Sequence, residues 1–176
     1  NLYAPFDFSI KKTDSEITKE KQSIESAQLP YYNYDEKIVQ GIREKLEKEF
    51  DDKWNNTGLR NNQKNRLENS SKAILDSIYS KGILQNNGKQ VQRNFIYLVK
   101  DNEARKVRVS EFYRVNEIND LVARVLEDNN LSTFTNETQS LFFDLIAPNV
   151  SFDKNLTQKA RDEALSKLSY TRGTVD

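Results

Sequence analysis

The chain has 176 residues, with 27 basic and 27 acidic side chains and therefore no formal net charge at pH 7. This balance gives no electrostatic reason to expect a nucleic acid or an anionic membrane surface as a partner. The sequence has no His, Cys or Met, which excludes histidine-dependent triads, cysteine nucleophiles and zinc sites built from the usual ligands.

The first elements predicted along the chain are a strand and a polar helix. Apolar and polar residues alternate over residues 3–10, which is typical of a half-buried strand, and Pro5 favours a sheet edge. Thr13 and Glu16 then form a capping-box pattern. This pattern predicts a helix over residues 14–28.

Two further helices are predicted from apolar periodicity. Asn33 and Glu36 are expected to cap the first of them, whose buried stripe recurs every four residues. That stripe consists of Ile38, Ile42, Leu46, Phe50 and Trp54. After a polar break at residues 55–65, the next helix is expected to end at Gly82. Its inward-facing residues are Leu67, Ile74, Leu75, Ile78 and Tyr79.

The middle of the chain changes character and predicts an antiparallel meander. Residues 82–84, 95–99 and 107–109 are short apolar segments. The Asn-Asn-Gly turn signal at 86–88 separates the first two, and a polar turn at 100–103 separates the last two.

Most of the remaining chain is predicted to be helical. One helix carries Ile118, Leu121, Val122, Val125 and Leu126. Asn136 with Gln139 is expected to cap the next helix. The apolar residues of that helix are Leu141, Phe142, Leu145 and Ile146. An extended link follows at residues 149–152, and Asp153 is the expected N-cap of a last amphipathic helix over residues 154–168.

These elements predict an α+β fold, in which one mostly helical domain over residues 1–176 surrounds a small antiparallel sheet. The sequence begins without Met, almost directly in the first predicted strand, and it stops shortly after Gly173 in a segment typical of another strand. We therefore expect the domain to be a piece excised from a longer protein.

Acidic pairs are the candidates for catalysis. The pairs are Asp51-Asp52, Glu127-Asp128 and Asp162-Glu163. Two carboxylates facing one substrate would suit glycoside hydrolysis. Each pair, however, belongs to a polar helix rich in Lys and Arg, which favours a solvated helix face. Asp7 is likewise expected to point to solvent from the outer face of an edge strand.

Aromatic and basic residues give two weaker signals for binding. Tyr31, Tyr32 and Tyr34 are able to stack on a ligand, although a structural role at a helix junction is favoured. A predicted hairpin carries the basic residues Arg93, Lys100, Arg105, Lys106 and Arg108. Interleaved aromatic residues make it similar to a single-strand nucleic-acid binder. The nearby acids Asp101, Glu103 and Glu111 dilute its charge, so no nucleic-acid partner is predicted.

Four segments together carry a resemblance to a known family. They are Ala4–Phe8 running into Lys11–Thr13, Pro30–Asp35, Ala147–Asp153 leading into Leu156-Thr157 and Ala160-Arg161, and Thr171–Val175. In order and spacing they resemble the extracellular domain of bacterial seven-transmembrane HD-hydrolase proteins, the PgpH-like cyclic-di-AMP phosphodiesterases. The resemblance spans the whole chain.

The resemblance implies that this domain and the catalytic domain are separate parts of a longer membrane protein. A cytoplasmic HD domain, absent from this chain, would bind divalent metals and hydrolyse the cyclic dinucleotide. This chain would hold no catalytic residue, cofactor or metal, and would act outside the cytoplasm, on the periplasmic face, as a sensory or scaffolding domain. Its partners would be the flanking transmembrane helices of the same polypeptide and an envelope ligand or protein.

The resemblance also implies that the two chain ends lie close together, because both return to one membrane face. Residues 3–10 and 169–175 are then expected to pair in a sheet and to transmit a change to the membrane helices. Two alternatives remain. A secreted or envelope interaction module with no linked enzyme predicts an exposed apolar patch. A carboxylate-based glycan hydrolase predicts two acids in one cleft. No ligand-binding residue is predicted.

Overall fold

A computed structural model of the chain describes residues 8–86, 93–168 and 171–175. The fold is α+β and mostly helical, as predicted. The α-helices of the described residues are α1 (Asp14–Ala27), α2 (Glu36–Trp54), α3 (Asn61–Lys81), α4 (Val115–Asp128), α5 (Thr135–Leu145) and α6 (Lys154–Ser166). The strands are β1 (Phe8–Lys11), β2 (Tyr31–Tyr34), β3 (Phe95–Lys100), β4 (Glu103–Arg108), β5 (Val150–Phe152) and β6 (Thr171–Val175).

The chain divides into two compact units, which we call the terminal unit (residues 1–31 and 153–176) and the central unit (residues 32–152). The terminal unit contains α1, α6 and the two-stranded antiparallel sheet of β1 and β6. Ser9 lies opposite Thr174, and Phe8 lies opposite Val175. The predicted pairing of the two ends of the chain is therefore confirmed for the described residues; the predicted start of the first strand lies outside them.

The sheet of the central unit has the strand order β4-β3-β2-β5. The β3–β4 hairpin is antiparallel as predicted, and its polar turn places Asp101 and Asn102 at φ 53° and 63°. The predicted first part of the meander is wrong, because Leu84 forms a parallel bridge with Val150 rather than pairing with β3. Residues 87 and 88 of the predicted turn lie outside the described residues.

The segment predicted as an extended link is strand β5, which pairs antiparallel with β2. Three-residue strands carry too few side chains for alternation to be recognised in sequence. Tyr34 lies opposite Val150, and Tyr32 lies opposite Phe152. This pairing joins segments distant in sequence and places the aromatic residues of β2 beside the C-terminal part of the central unit.

Two of the predicted helix caps are confirmed and two are wrong. Thr13 accepts a hydrogen bond from Glu16 N (3.2 Å) at the start of α1, and Asp153 caps α6 by accepting from Leu156 N (2.9 Å). At α2 the cap is Asp35, which accepts from the amide of Lys37 (2.9 Å). Asn33, the predicted cap, is held within β2.

Helix α5 begins at Thr135 without a side-chain cap, so the prediction that Asn136 caps it is wrong. A 3₁₀ turn over Ser132–Phe134 runs directly into the helix, and the Thr135 amide donates to Ser132 O. The turn therefore satisfies amide groups that a cap would otherwise bind. Gln139 instead donates its side-chain amide to Asn119 O (3.0 Å).

The central unit has a continuous apolar core formed by α2, α3, α4 and α5. The predicted inward residues of α3 are all buried, and Trp54 is 6% exposed. In α2, Ile38 is 37% exposed while Val39 is fully buried, so the predicted stripe is wrong at its first position. Ile38 and Trp54 are 16 positions apart, which places them about 160° apart around an α-helix.

Candidate functional site

The acidic pairs lie on three separate helices. Asp51 and Asp52 are exposed on α2, Glu127 and Asp128 at the end of α4, and Asp162 and Glu163 on α6. The contacts of two of these acids are local: Asp51 is 3.4 Å from Lys64 Nζ, and Asp162 accepts from Gln158 Nε2 at 3.0 Å. Within the described ranges, no three acidic side chains are grouped so that they could hold a metal ion.

The three tyrosines of β2 have different environments. The ring of Tyr32 is buried and packs on Phe152, with centroids 5.7 Å apart. The amide of Tyr31, in the terminal unit, donates to Thr157 Oγ1 at 2.9 Å. The hydroxyl of Tyr34 donates to Tyr79 O at 2.6 Å. Neighbouring residues of a strand point to opposite faces, so Tyr31 does not share a face of β2 with Tyr32 and Tyr34.

A buried polar network surrounds the end of α3. The Tyr79 hydroxyl donates to Ala147 O (2.8 Å) and accepts from Ala147 N (3.1 Å). The Asn149 side chain accepts from Ile83 N at 2.9 Å. Burial raises the pKa of Tyr79, although its hydrogen bond to Ala147 lowers it. Burial, followed by the charge of Glu36, also raises the pKa of Tyr34. Both phenols therefore remain neutral donors at physiological pH.

Next to this network lies a small recess of the central unit, with a volume of about 50 Å³. The end of α3, strands β2, β3 and β4, and the 3₁₀ turn over Val109–Glu111 enclose it. Its lining residues are Tyr34, Ser80, Lys81, Leu98, Lys100, Arg105, Val107, Glu111 and Phe112. We call this feature the hairpin recess.

The hairpin recess brings together Tyr34 and part of the basic hairpin that the sequence indicated. The Lys100 ammonium lies 4.4 Å from the centroid of the Tyr34 ring. Arg105 lies opposite Leu98 and shares its face of the hairpin. Lys106 and Arg108 lie on the other face, where their cationic groups are 4.6 and 5.3 Å from the Phe95 ring centroid. The pleat divides the basic residues between two surfaces.

The lining residues Ser80, Lys81 and Phe112 carry no signal in the sequence that marks them as part of a site. The alternation of the hairpin, if applied to its charged residues, would have separated Arg105 from Lys106. No local signal would have joined α3 to the hairpin, because that contact depends on the tertiary fold.

The exposed large apolar residues are spread over several elements. Those of the described chain are Ile10, Ile38, Val115, Phe143 and Phe152. Each belongs to a different element, and single exposed apolar residues are normal on protein surfaces.

Comparison with known proteins supports a single family. No curated protein and no solved structure matches the chain. None of the helices in the described residues has the length and apolar character needed to cross a membrane. A family model described as 7TM-HD extracellular matches residues 1–175, which confirms the resemblance found in the sequence. The chain belongs to the family of extracellular domains of seven-transmembrane HD proteins.

Proposed function

We propose that this chain is a non-catalytic sensory domain that acts outside the cytoplasm and regulates a cytoplasmic cyclic-di-AMP phosphodiesterase of the same polypeptide. Family membership supports the link to a membrane HD protein. The observation that carries the sensory part is the antiparallel pairing of β1 with β6. It couples the two ends of the chain mechanically, so that they move together.

Further contacts order the terminal unit that contains this strand pair. Lys12, the residue after β1, forms a 2.7 Å ion pair with Glu20 of α1, and its side chain is 12% exposed. The start of α6 is bound to Tyr31, because Tyr31 O accepts from Asp153 N at 2.8 Å. Thr157 links the same groups through its hydroxyl, which donates to Asp153 O at 2.7 Å.

We infer that a signal passes through the terminal unit to the flanking membrane helices. A ligand or envelope partner that prefers one arrangement of the domain shifts the population of the β1–β6 pair. The flanking membrane helices respond to that shift and alter the activity of the hydrolase.

A reversible cross-link tests this route in the full-length membrane protein. The substitutions Ser9→Cys and Thr174→Cys place two thiols at partner positions of β1 and β6. The printed sequence has no Cys, and any cysteine elsewhere in the parent would be replaced first. We expect oxidation to change the rate of cyclic-di-AMP hydrolysis by at least about threefold, which is a coupling of about 0.7 kcal/mol, and reduction to restore it.

The matched control is Val99→Cys with Ala104→Cys, partner positions of the β3–β4 hairpin. Its oxidation is expected to leave the rate unchanged. An unchanged rate in the fully oxidised Ser9–Thr174 variant would contradict sensing and support a structural role. A parent that does not hydrolyse cyclic di-AMP would contradict the proposed enzyme.

A further inference from the structure

We propose that the hairpin recess binds a small organic carboxylate. The inference deepens the proposed function by naming the chemical class of a ligand, and it rests on that function only for the consequence of binding. Binding itself depends on the shape, charge and hydrogen bonding of the recess.

The inner surface of the recess is apolar. Leu98, Val107 and Phe112 are 6%, 7% and 5% exposed, and all three line it. The Tyr34 ring completes this surface. A volume of about 50 Å³ is a few times the roughly 10–15 Å³ that a cavity needs to hold one water molecule. The recess therefore admits a carboxylate with its attached carbon, not a large headgroup.

The rim of the recess is positively charged in a chain that has no net charge. Lys81, Lys100 and Arg105 line it together with one acid, Glu111. None of the three cations forms an ion pair within the part of the chain that the structure describes. Among the described residues, the ring contact of Lys100 with Tyr34 is the one polar or ring contact of these three side chains.

The end of α3 does not explain these cations. Cationic side chains often stabilise the unpaired carbonyl groups at a helix C-terminus. Here two of those groups already have other donors: Tyr79 O accepts from the Tyr34 hydroxyl at 2.6 Å, and Ile78 O accepts from Gly82 N at 2.8 Å. Within the described residues, none of the three cationic side chains donates a hydrogen bond to the end of α3. The cations therefore remain available to an anion.

The combination of rim and inner surface favours a carboxylate over phosphate. The planar guanidinium of Arg105 presents paired donors that match a carboxylate. The apolar inner surface accommodates the carbon next to it, whereas phosphate presents polar oxygens on every side. A free small acid and the carboxyl end of a peptide share this chemistry.

NMR titration of the isotope-labelled 176-residue chain tests the inference. The probes are acetate, N-acetyl-Ala-Ala, its C-terminal amide and inorganic phosphate, each at constant ionic strength set with chloride. We expect saturable shifts of the amides of Lys81, Lys100, Arg105 and Phe112 with acetate or with the peptide acid. Tighter binding of acetate identifies a free acid as the source of the ligand, and tighter binding of the peptide acid identifies the carboxyl end of a peptide. The C-terminal amide of the peptide is expected to cause no shift.

Arg105→Gln is expected to weaken this binding about tenfold, as for the loss of a charged hydrogen bond. Lys106→Gln is the matched control, since it removes the same charge from the neighbouring residue on the opposite face of the hairpin. Equal weakening by both variants, tighter binding of phosphate, or shifts that do not saturate would overturn the inference. These outcomes concern binding alone, whereas the proposed sensory coupling is decided by the cross-link in the full-length protein.

Discussion

The central and terminal units differ in what holds them together. Helices α2 to α5 of the central unit enclose a core that includes Phe50, Leu67, Ile74 and Phe142, all with no exposed surface. Helix α1 of the terminal unit, described over its whole length, has no buried residue, and Thr157 is the buried residue of α6. Burial of apolar area is the main stabilising term in folding, so the central unit is expected to be the more stable.

This difference is informative because the less apolar unit contains both ends of the chain. Segments that open at low free energy are those with few buried apolar contacts. The strand pair β1–β6 is therefore expected to respond to a small input that leaves the central core intact. Three substitutions would sharpen or break this comparison.

The largest effect is expected from Gly82→Ala at the end of α3. Gly82 has φ 104° and ψ 172°, a region that is almost restricted to glycine. A Cβ atom there would lie 2.8 Å from Val150 Cγ2 and 3.1 Å from Asn149 Oδ1. We expect a loss of about 3 kcal/mol in the free energy of unfolding, measured with urea.

Gly41→Ala is the control for that substitution. Gly41 lies within α2, and nothing would lie within 4 Å of its Cβ. The change is expected to stabilise the protein by about 0.5–1 kcal/mol, because alanine loses less entropy in a helix. Equal stability of the Gly82→Ala variant and the original sequence would contradict the close packing of α3 against β5.

An intermediate effect is expected from Tyr79→Phe. The substitution leaves both main-chain groups of Ala147 without the hydroxyl that they contact. The expected cost at neutral pH is about 2 kcal/mol. Because the folded pKa of Tyr79 is raised, its contribution is complete below the unfolded pKa, about 10, and is lost as pH rises through the folded value.

Urea unfolding checks this sign. It is measured for the original chain and for the Tyr79→Phe variant, at neutral pH and at pH values above about 10. The stability of the original chain is expected to fall with rising pH, and the stability of the variant is expected to fall less. A residual slope is expected, because burial also raises the pKa of Tyr32 and Tyr34. Parallel curves would show that the Tyr79 phenol does not titrate differently in the two states.

The smallest effect is expected from Thr13→Ala, which removes the N-cap of α1. The expected cost is about 1 kcal/mol, and it should be confined to the terminal unit. Amide hydrogen exchange would then accelerate in α1 and remain unchanged in α3. Thr18→Ala, one turn further along α1, is the control and should not accelerate exchange. Equal acceleration in α1 and α3 would break the comparison, because the two units would then unfold together.

Local signals predicted most of the helices, since caps and apolar periodicity act within a few residues. Thr13 and Asp153 are caps because their side chains reach amide groups three positions away. The wrong predictions have tertiary causes in some places and local causes in others. Asn33 matches a cap pattern as well as Asp35 does, but its backbone pairs with Ser151. A strict four-residue stripe also drifts around the helix, which is why Val39 replaces Ile38 in the core.

The candidate site was only partly predictable from the sequence. Tyr34, Lys100 and Arg105 were singled out by residue type, but for roles in stacking or nucleic-acid contact. Their convergence with Lys81 depends on the position of α3 beside the hairpin. No spacing rule connects these segments. The parallel bridge of Leu84 with Val150 was inaccessible for the same reason.

The pairing of β1 with β6 also has a consequence for biosynthesis. The β3–β4 hairpin joins neighbouring segments, whereas Phe8 and Val175 come from opposite ends of the chain. Contacts so distant in sequence carry the largest loop-closure cost and form slowly. During synthesis, β1 cannot pair with β6 until the whole central unit has been made. We expect the central unit to fold first, and the closing strand pair to mark the completion of the domain.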